Sequence, residues 1–570
     1  MVSPKRLFPV MALLVTVAVV IVLRLIFLQV VESDRLEQEH ERVFGAELEL
    51  QPIRGQVLDR NGAVLGTTGY EYRITADPSQ IWEQDLSGTA AILATLLVTR
   101  TSYIIPSLDP PRLADGSEAK YSVVASRVSP EVAEAIRQQA IWGIYVEPVQ
   151  RRYYPHNHLL SHVLGWVDAD MRGNSGVEGH YNEHLRGNSV TVSKYPMLHY
   201  EWSTPRPHDG ATVVLTIDRT IQATTERVLA DALVRYNAPS GTIIVMDLDG
   251  YGILAMASLP DFDPNAYYRT ERQLLVNPAI ARLFEPGSIH KVLTMAAAID
   301  SGTVTPATVY NDVGVIEVGG WPIRNWDGAA HGITDMTTLL SKSLNVGAAT
   351  IASWMGWKTY YQYMMAFGLA DYTGIDLEGE GIGQLKQPGD DLWTESDLGT
   401  NSFGQGVAVT PLRELVSIAA IASGGTMYQP HVVAEVRDGD RVYQYQKTII
   451  GQPISKESAN TVREMMVQAV SREVSSASVP GYTIGGKTGT AQIPDGPIYH
   501  PSDIIGTFVG FLPADNPRYI ALIKIDRPQV GQYERWGSTT AAPTFSELAQ
   551  QLVVLLDVPP DSARALADAW

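Results

Sequence analysis

Residues Asn277–Asp300 read NPAIARLFEPGSIHKVLTMAAAID. Pro286-Gly287 punctuates the chain and an apolar run follows, so the pattern predicts a helix with Ser288 in its first turn. Positions i and i+3 share a helical face, which sets the Ser288 hydroxyl beside the Lys291 amine. Taken alone, the pair also fits a capping serine followed by a surface lysine. The rest of the chain decides between the two.

Two further signals lie downstream. The segment TTLLSKSLNVGAATIA contains Ser343-Leu344-Asn345, expected in a turn between helices. The segment GGKTGTAQ contains Lys487-Thr488-Gly489-Thr490 on an expected strand. An S-x-x-K, S-x-N, K-T-G series in that order is the signature shared by serine β-lactamases and penicillin-binding proteins. Beyond the triple motif, RGQVLDRNG, RRYYPHNHLLSHVLGWV and GVEGHYNEHLRG look like pedestal motifs of the class B penicillin-binding proteins. MASLPDFDPNAY, FEPGS, SFGQGVAVTP and AAPTF look like their transpeptidase domain. The chain resembles that family over nearly its whole length.

The resemblance implies a peptidoglycan D,D-transpeptidase of the division or elongation type. Its substrate would be stem peptides ending in D-Ala-D-Ala, and β-lactams would be its inhibitors. A serine hydroxyl is a poor nucleophile until a neighbour takes its proton. Lys291 can do so if burial and a second ammonium, for which Lys487 is the candidate, keep it neutral. Ser343 would relay a proton to or from the amine, and the Asn345 amide would hold Lys291 and the substrate backbone. Lys487, Thr488 and Thr490 would meet the substrate carboxylate, with Gly489 leaving room for a peptide to pair alongside. The backbone N–H groups of Ser288 and Thr490 would form the oxyanion hole. His290 is assigned to packing, and Gly404 and Gly406 to tight backbone beside the cleft. Arg54, Asp59, Arg60 and Glu178 are expected in structural ion pairs.

Composition narrows the rest. The chain has 570 residues, a formal net charge of −19 and no cysteine. That length implies several domains, and the acidic balance works against nucleic-acid binding. Thiol catalysis and cysteine–zinc sites are excluded, the histidines show no metal-ligand spacing, and no cofactor is called for. Near the N-terminus, Lys5 and Arg6 precede an apolar run from Leu7 to Leu23, then Arg24 and more apolar sequence to Val31. About 20 apolar residues span a bilayer, and the flanking bases favour an N-terminus inside. No small-x-small cleavage site follows, so an uncleaved anchor in the bacterial cytoplasmic membrane is expected, with the bulk of the chain outside.

Asn61-Gly62 joins two short apolar runs as a hairpin, and Ser129-Pro130 starts a helix. Ser203–Gly210 reads as a linker. After it, strands at both ends of a long unit flank a helical middle, the pattern of an α+β domain whose sheet is completed by both ends. The expected organisation is a cytoplasmic tail (1–6), transmembrane anchor (7–31), mixed pedestal of the dimerisation type (32–205), transpeptidase domain with an antiparallel sheet flanked by helices (206–560), and C-terminal tail (561–570).

Three rivals use the same residues. A β-lactamase would need a base for deacylation, and no E-x-x-L-N-like segment follows Ser343. A β-lactam sensor would need an inward signalling segment, and an inactive scaffold would not keep both nucleophile and base. A polymerising module is also not evident, so the family resemblance implies a polytopic glycan polymerase as membrane partner. The modest pedestal leans towards division.

Overall fold

The structure is a computed structural model describing residues 4–32, 35, 47–81, 85–113, 116–117, 119–193, 206–495 and 498–567. Residues 1–3 of the expected cytoplasmic tail, 203–205 of the expected linker and 568–570 of the expected C-terminal tail lie outside them. Two compact units emerge: Met1–Ile53 with Arg186–Gly210, and Arg54–Leu185 with Ala211–Trp570.

The first unit holds helix α1 (Pro4–Ile26), rich in Leu, Val and Ile, with one internal proline, Pro9, near its start. It ends in a π-helical turn, Phe27–Val31, closed by the Glu32 N–H donating to Phe27 O at 3.0 Å. Within it Met11–Val30 is a 20-residue span of largely exposed apolar side chains, long enough to cross a bilayer. The same unit contains an antiparallel ladder that pairs Glu47–Leu50 with Val190–Ser193.

In the second unit, β1 (Val57–Leu58) and β2 (Val64–Ala76) form the hairpin that Asn61-Gly62 predicts, with Gly62 at φ 84°. Asp59 does not ion-pair as expected. Its carboxylate accepts the N–H groups of Asn61, Ala63 and Arg219, so it tightens the turn and ties it to the next domain. Arg60 is exposed and joins no ion pair among the described residues. Arg54 and Glu178 do pair, at 2.6 Å, and Arg152 meets the other Glu178 oxygen at 2.6 Å, all three buried. Two guanidiniums on one carboxylate offset its desolvation, which neither could do alone.

Helices α2 (Leu86–Leu96) and α3 (Thr101–Leu108), strand β3 (Ser122–Val128), helix α4 (Pro130–Gln138) and strand β4 (Ile144–Tyr153) complete the pedestal. Ser129 caps α4 by accepting from the Val132 N–H, with Pro130 in the first turn. Ile74, Leu93, Ile104, Val128 and Ile136 form its core. β2 pairs with both β3 and β4, and β1 pairs parallel with β5 (Thr212–Leu215). One sheet therefore runs from pedestal strands into the first strand after the linker.

Helix α5 (Arg219–Arg235) follows, capped by Asp218. The central sheet is antiparallel, built from β6 (Ser240–Asp247), β7 (Ile253–Leu259), β8 (Gly485–Asp495), β9 (Ile498–Leu512) and β10 (Tyr519–Asp526) in the order β7-β6-β10-β9-β8. Strands from both ends of the unit thus complete it. Alternation along the strands sorts its two faces. Ile243, Val245, Ala521 and Ile523 pack towards α5 and the C-terminal helix, while Ile244, Met246, Ile520 and Leu522 join the other core. That second core contains α6 (Lys291–Asp300), α7 (Met336–Lys342), α8 (Asn345–Ala366), α9 (Pro411–Ala422) and α10 (Lys456–Glu473). The C-terminal helix, α11 (Ala541–Leu555), closes the first face. β8, which carries Lys487 to Thr490, is an edge strand.

Candidate active site

Ser288 lies in a 3₁₀ turn, Gly287–His290, that leads directly into α6. The turn is threaded between backbones. Gly287 has φ 60° and donates its N–H to Gly404 O at 3.0 Å. A Cβ on Gly287 would lie 3.0 Å from Thr490 O, and one on Gly404 only 2.3 Å from Gly287 O. The two glycines let the nucleophile turn, the Gly404 loop and β8 close on one another. Gly406 serves differently, donating its N–H to Glu285 Oε1 at 3.0 Å. Tyr499 also donates to Glu285, whose carboxyl burial pushes up.

Lys291 is 1% exposed, which removes the surface-lysine reading. Its Nζ lies 3.0 Å from Ser288 Oγ, 2.6 Å from Ser343 O, 3.2 Å from Ser343 Oγ and 2.7 Å from Asn345 Oδ1. The geometry follows from a break between α7 and α8. Ser343 ends α7 in the left-handed region, φ 59° and ψ 44°, which turns its carbonyl and hydroxyl together towards Lys291. Such strain at a non-glycine residue costs on the order of 1–3 kcal/mol. Leu344 is fully buried and anchors the turn, and Asn345 opens α8. The Asn345 Nδ2 donates to Arg324 O at 3.1 Å, which fixes its oxygen on Lys291.

Lys487, 2% exposed, reaches from β8 to Ser343 Oγ at 3.0 Å, so one hydroxyl bridges the two lysines. Burial first, then the neighbouring Lys487 charge, pushes the Lys291 amine well below the usual lysine range. Burial alone pushes Lys487 down, to about 7. A neutral amine has two N–H donors and one lone pair. The two shortest contacts, to Ser343 O and Asn345 Oδ1, use the donors and leave the lone pair for the Ser288 proton.

All five residues expected around the nucleophile are brought together, and Thr488, Gly489 and Thr490 follow on the same strand edge. The Lys487 Nζ also donates to Thr488 O at 2.9 Å, and the Gly537 N–H donates to Thr490 Oγ1 at 3.1 Å. Gly489 has an additional reason to be glycine. A Cβ there would sit 2.2 Å from Thr507 Oγ1 and 3.0 Å from Ile289, so close packing of β8 on the nucleophile turn requires it. The sequence reading missed three residues at the rim. Gly537 supports Thr490, and the Trp326 and Trp536 rings meet edge to face 5.4 Å apart. Trp326 Nε1 donates to Lys342 O beside Ser343. Trp326 comes from a loop far from Trp536-Gly537 in the chain, and no spacing rule links the two. Among the described residues, no cluster of three or more His, Cys, Asp or Glu is placed to hold a metal.

Comparison with known proteins gives the family. Residues 241–550 match the penicillin binding protein transpeptidase domain, and 49–195 match the penicillin-binding protein dimerisation domain. The chain is 31% identical to stage V sporulation protein D of Bacillus subtilis, over 98% of this chain and 86% of that one. It is 28% identical to the peptidoglycan D,D-transpeptidase FtsI of Escherichia coli K12, over 95% and 90%. The crystal structure of penicillin binding protein 3 from Mycobacterium tuberculosis superposes with a TM-score of 0.69 at 27% identity, covering 90% of this chain and 98% of that one. A second solved form of that protein is complexed with ampicillin. The chain belongs to the class B penicillin-binding proteins and is an enzyme of their serine transpeptidase class.

Proposed function

We propose that Ser288 is the acylated nucleophile of a peptidoglycan D,D-transpeptidase, and that Lys291 is its base. The observation that carries this is a buried, neutral-leaning Lys291 amine 3.0 Å from the Ser288 hydroxyl, with a second lysine beside it. Ser288 Oγ attacks the carbonyl of the penultimate D-Ala while Lys291 takes its proton. The tetrahedral oxyanion is held by the N–H groups of Ser288 and Thr490. The proton returns through Lys291 and Ser343 to the leaving terminal D-Ala, and an acceptor amine then resolves the ester by the reverse path. Lys487, Thr488 and Thr490 hold the terminal carboxylate, and the donor peptide adds to the open edge of β8, whose chemistry also suits β-lactams. Glycan strands bearing pentapeptide stems, incubated with the protein, are expected to yield crosslinked dimers with release of D-Ala. Release of D-Ala without crosslinks would make it a carboxypeptidase instead.

No carboxylate hydrogen-bonds Ser288, Lys291, Ser343 or Lys487 among the described residues. Water then lacks a positioned base, so a β-lactam acyl-enzyme is expected to persist for many minutes. Turnover of a chromogenic cephalosporin at ordinary enzyme rates, roughly 1–10³ per second, would instead identify a β-lactamase.

We further propose the division of the chain set out from sequence: tail to residue 6, anchor 7–31, pedestal 32–205, transpeptidase domain 206–560. The N-terminus lies inside and the catalytic domain outside the cytoplasmic membrane. The role is septal, supported by the likeness to FtsI and to a sporulation protein rather than by any site residue. A polytopic glycan polymerase supplies the strands. Arg24 and Gln29 support a protein partner for the anchor, because they lie within the Met11–Val30 span and polar side chains inside a membrane span are commonly satisfied by protein. The π-helical turn that holds Gln29 is a further irregularity of the kind found at functional sites. Replacing Met11–Val31 with an unrelated transmembrane helix is expected to preserve penicillin labelling and fail to support growth. Full complementation with the polymerase still co-purifying would reduce the anchor to a tether.

A further inference from the structure

Under the nucleophile turn lies a buried ionisable pair that the proposed chemistry does not use. His290, between Ser288 and Lys291, is fully buried, and so is Glu414 on α9. His290 Nδ1 lies 3.3 Å from Glu414 Oε1, while His290 Nε2 and Glu414 Oε2 have no hydrogen-bond partner among the described residues. The pair has company from a third helix. Tyr360, on α8 beyond the break at Gly356, is fully buried with its hydroxyl likewise unpartnered. Burial first and then Tyr361 push that hydroxyl up.

A buried hydrogen bond between two polar side chains is a poor way to fill space. Apolar side chains of similar size would stabilise the core as well or better, and the best-attested use of such a pair is to select one arrangement over others. The arrangement at stake is visible. His290 is next to Lys291 and two residues from Ser288, so rotation of this turn about its axis moves both reacting atoms together. Apolar contacts permit such sliding, whereas a directional bond to α9 does not. The backbone is already close on the other side, since a Cβ on Gly404 would lie 2.8 Å from His290 Cβ.

We infer that His290 and Glu414 are a positioning pair for acylation, fixing the rotation of the Ser288–Lys291 turn against α9; this rests on Ser288 being the nucleophile. Neither touches substrate. A displacement of 1 Å in a reacting group costs about 10²-fold in rate, so loss of the pair is read in the acylation step rather than in binding.

The test uses full-length protein in detergent, with the pre-covalent dissociation constant, the first-order acylation rate and Tm measured for a fluorescent penicillin. Glu414→Gln keeps an oxygen to accept from His290 and is expected to acylate within a few-fold of wild type. Glu414→Leu and His290→Met each leave one polar group buried alone, and are expected to lower both Tm and the acylation rate. The double variant His290→Met/Glu414→Leu decides the matter. It is expected to recover Tm while acylating at least about tenfold more slowly than wild type, with the dissociation constant unchanged. Wild-type acylation in the double variant would make the pair a structural filler and overturn the inference. So would unchanged acylation in both single variants, or a Glu414→Gln defect equal to that of Glu414→Leu. An adduct elsewhere than Ser288 in the wild-type protein would overturn the nucleophile assignment itself, and that is read before any variant is compared.

Discussion

Ser288→Ala is expected to take up no covalent label from fluorescent penicillin, while the wild-type protein carries one adduct on the peptide containing Ser288. A second serine is well placed to compete. Ser343 Oγ contacts both lysines, at 3.2 and 3.0 Å, whereas among the described residues Ser288 Oγ hydrogen-bonds only Lys291. Surroundings separate the two. Ser288 sits in the turn that abuts Thr490 on the open strand edge, where a peptide carbonyl could lie and where two backbone N–H groups could receive its oxygen. The Ser343 hydroxyl is held between the two lysine side chains as a bridge, the position of a relay. Ser343→Ala should therefore slow acylation without removing the adduct. The fold should survive Ser288→Ala, since the hydroxyl makes a single side-chain hydrogen bond and one such bond is worth about 0.5–1.5 kcal/mol. An adduct on Ser343 in the wild-type protein, or undiminished labelling of Ser288→Ala, would sink the assignment.

Much of this site could be read from sequence because each element is local. Ser288 and Lys291 are one helical turn apart, Ser343 and Asn345 flank a single residue, and Lys487 to Thr490 are consecutive. The order of the three signals then does the work that no one of them can do. The apolar N-terminal helix, the Asn61-Gly62 hairpin and the Ser129 cap are local for the same reason. What sequence could not supply is pairing across distance. His290 reads as a packing residue until α9 brings Glu414 against it, and Glu414 itself lies in an unremarkable helical run. The Trp326–Trp536 contact joins two loops that share no pattern. Asp59 illustrates a different limit: its charge invites an ion pair, but a turn with three unsatisfied N–H groups within reach is the better partner. Gly489 shows that a correct residue can carry an incomplete reason. Openness towards substrate was expected there, and tight packing against Thr507 and Ile289 is an added cause.

The second large effect is expected at Lys291, and pH gives it a sign. Lys291→Ala should lower the acylation rate by on the order of 10²–10⁴, the usual contribution of a positioned base, while Lys291→Arg should rescue nothing, since a guanidinium cannot act as base at neutral pH. In the wild-type protein the base must be neutral and Lys487 must be charged. Lys291 is depressed well below the lysine range, so its neutral form is lost only as pH falls through that low value, which sets the acid limb. Lys487 is depressed to about 7, so its charge is lost as pH rises through that value, which sets the alkaline limb in the free enzyme. The profile of second-order acylation against pH should therefore be a bell falling away above about 7. A bound carboxylate favours the charged form of Lys487, so under saturating penicillin the alkaline limb should move up. Lys487→Ala removes the carboxylate partner and also the charge that helps keep Lys291 neutral. Its binding should weaken and its acid limb should shift to higher pH, because one of the two causes of the Lys291 depression is gone. Stopped-flow acylation from pH 5 to 10 distinguishes these outcomes. An acid limb that does not move in Lys487→Ala would mean that burial alone keeps Lys291 neutral, and an unchanged acylation rate in Lys291→Ala would place the base elsewhere.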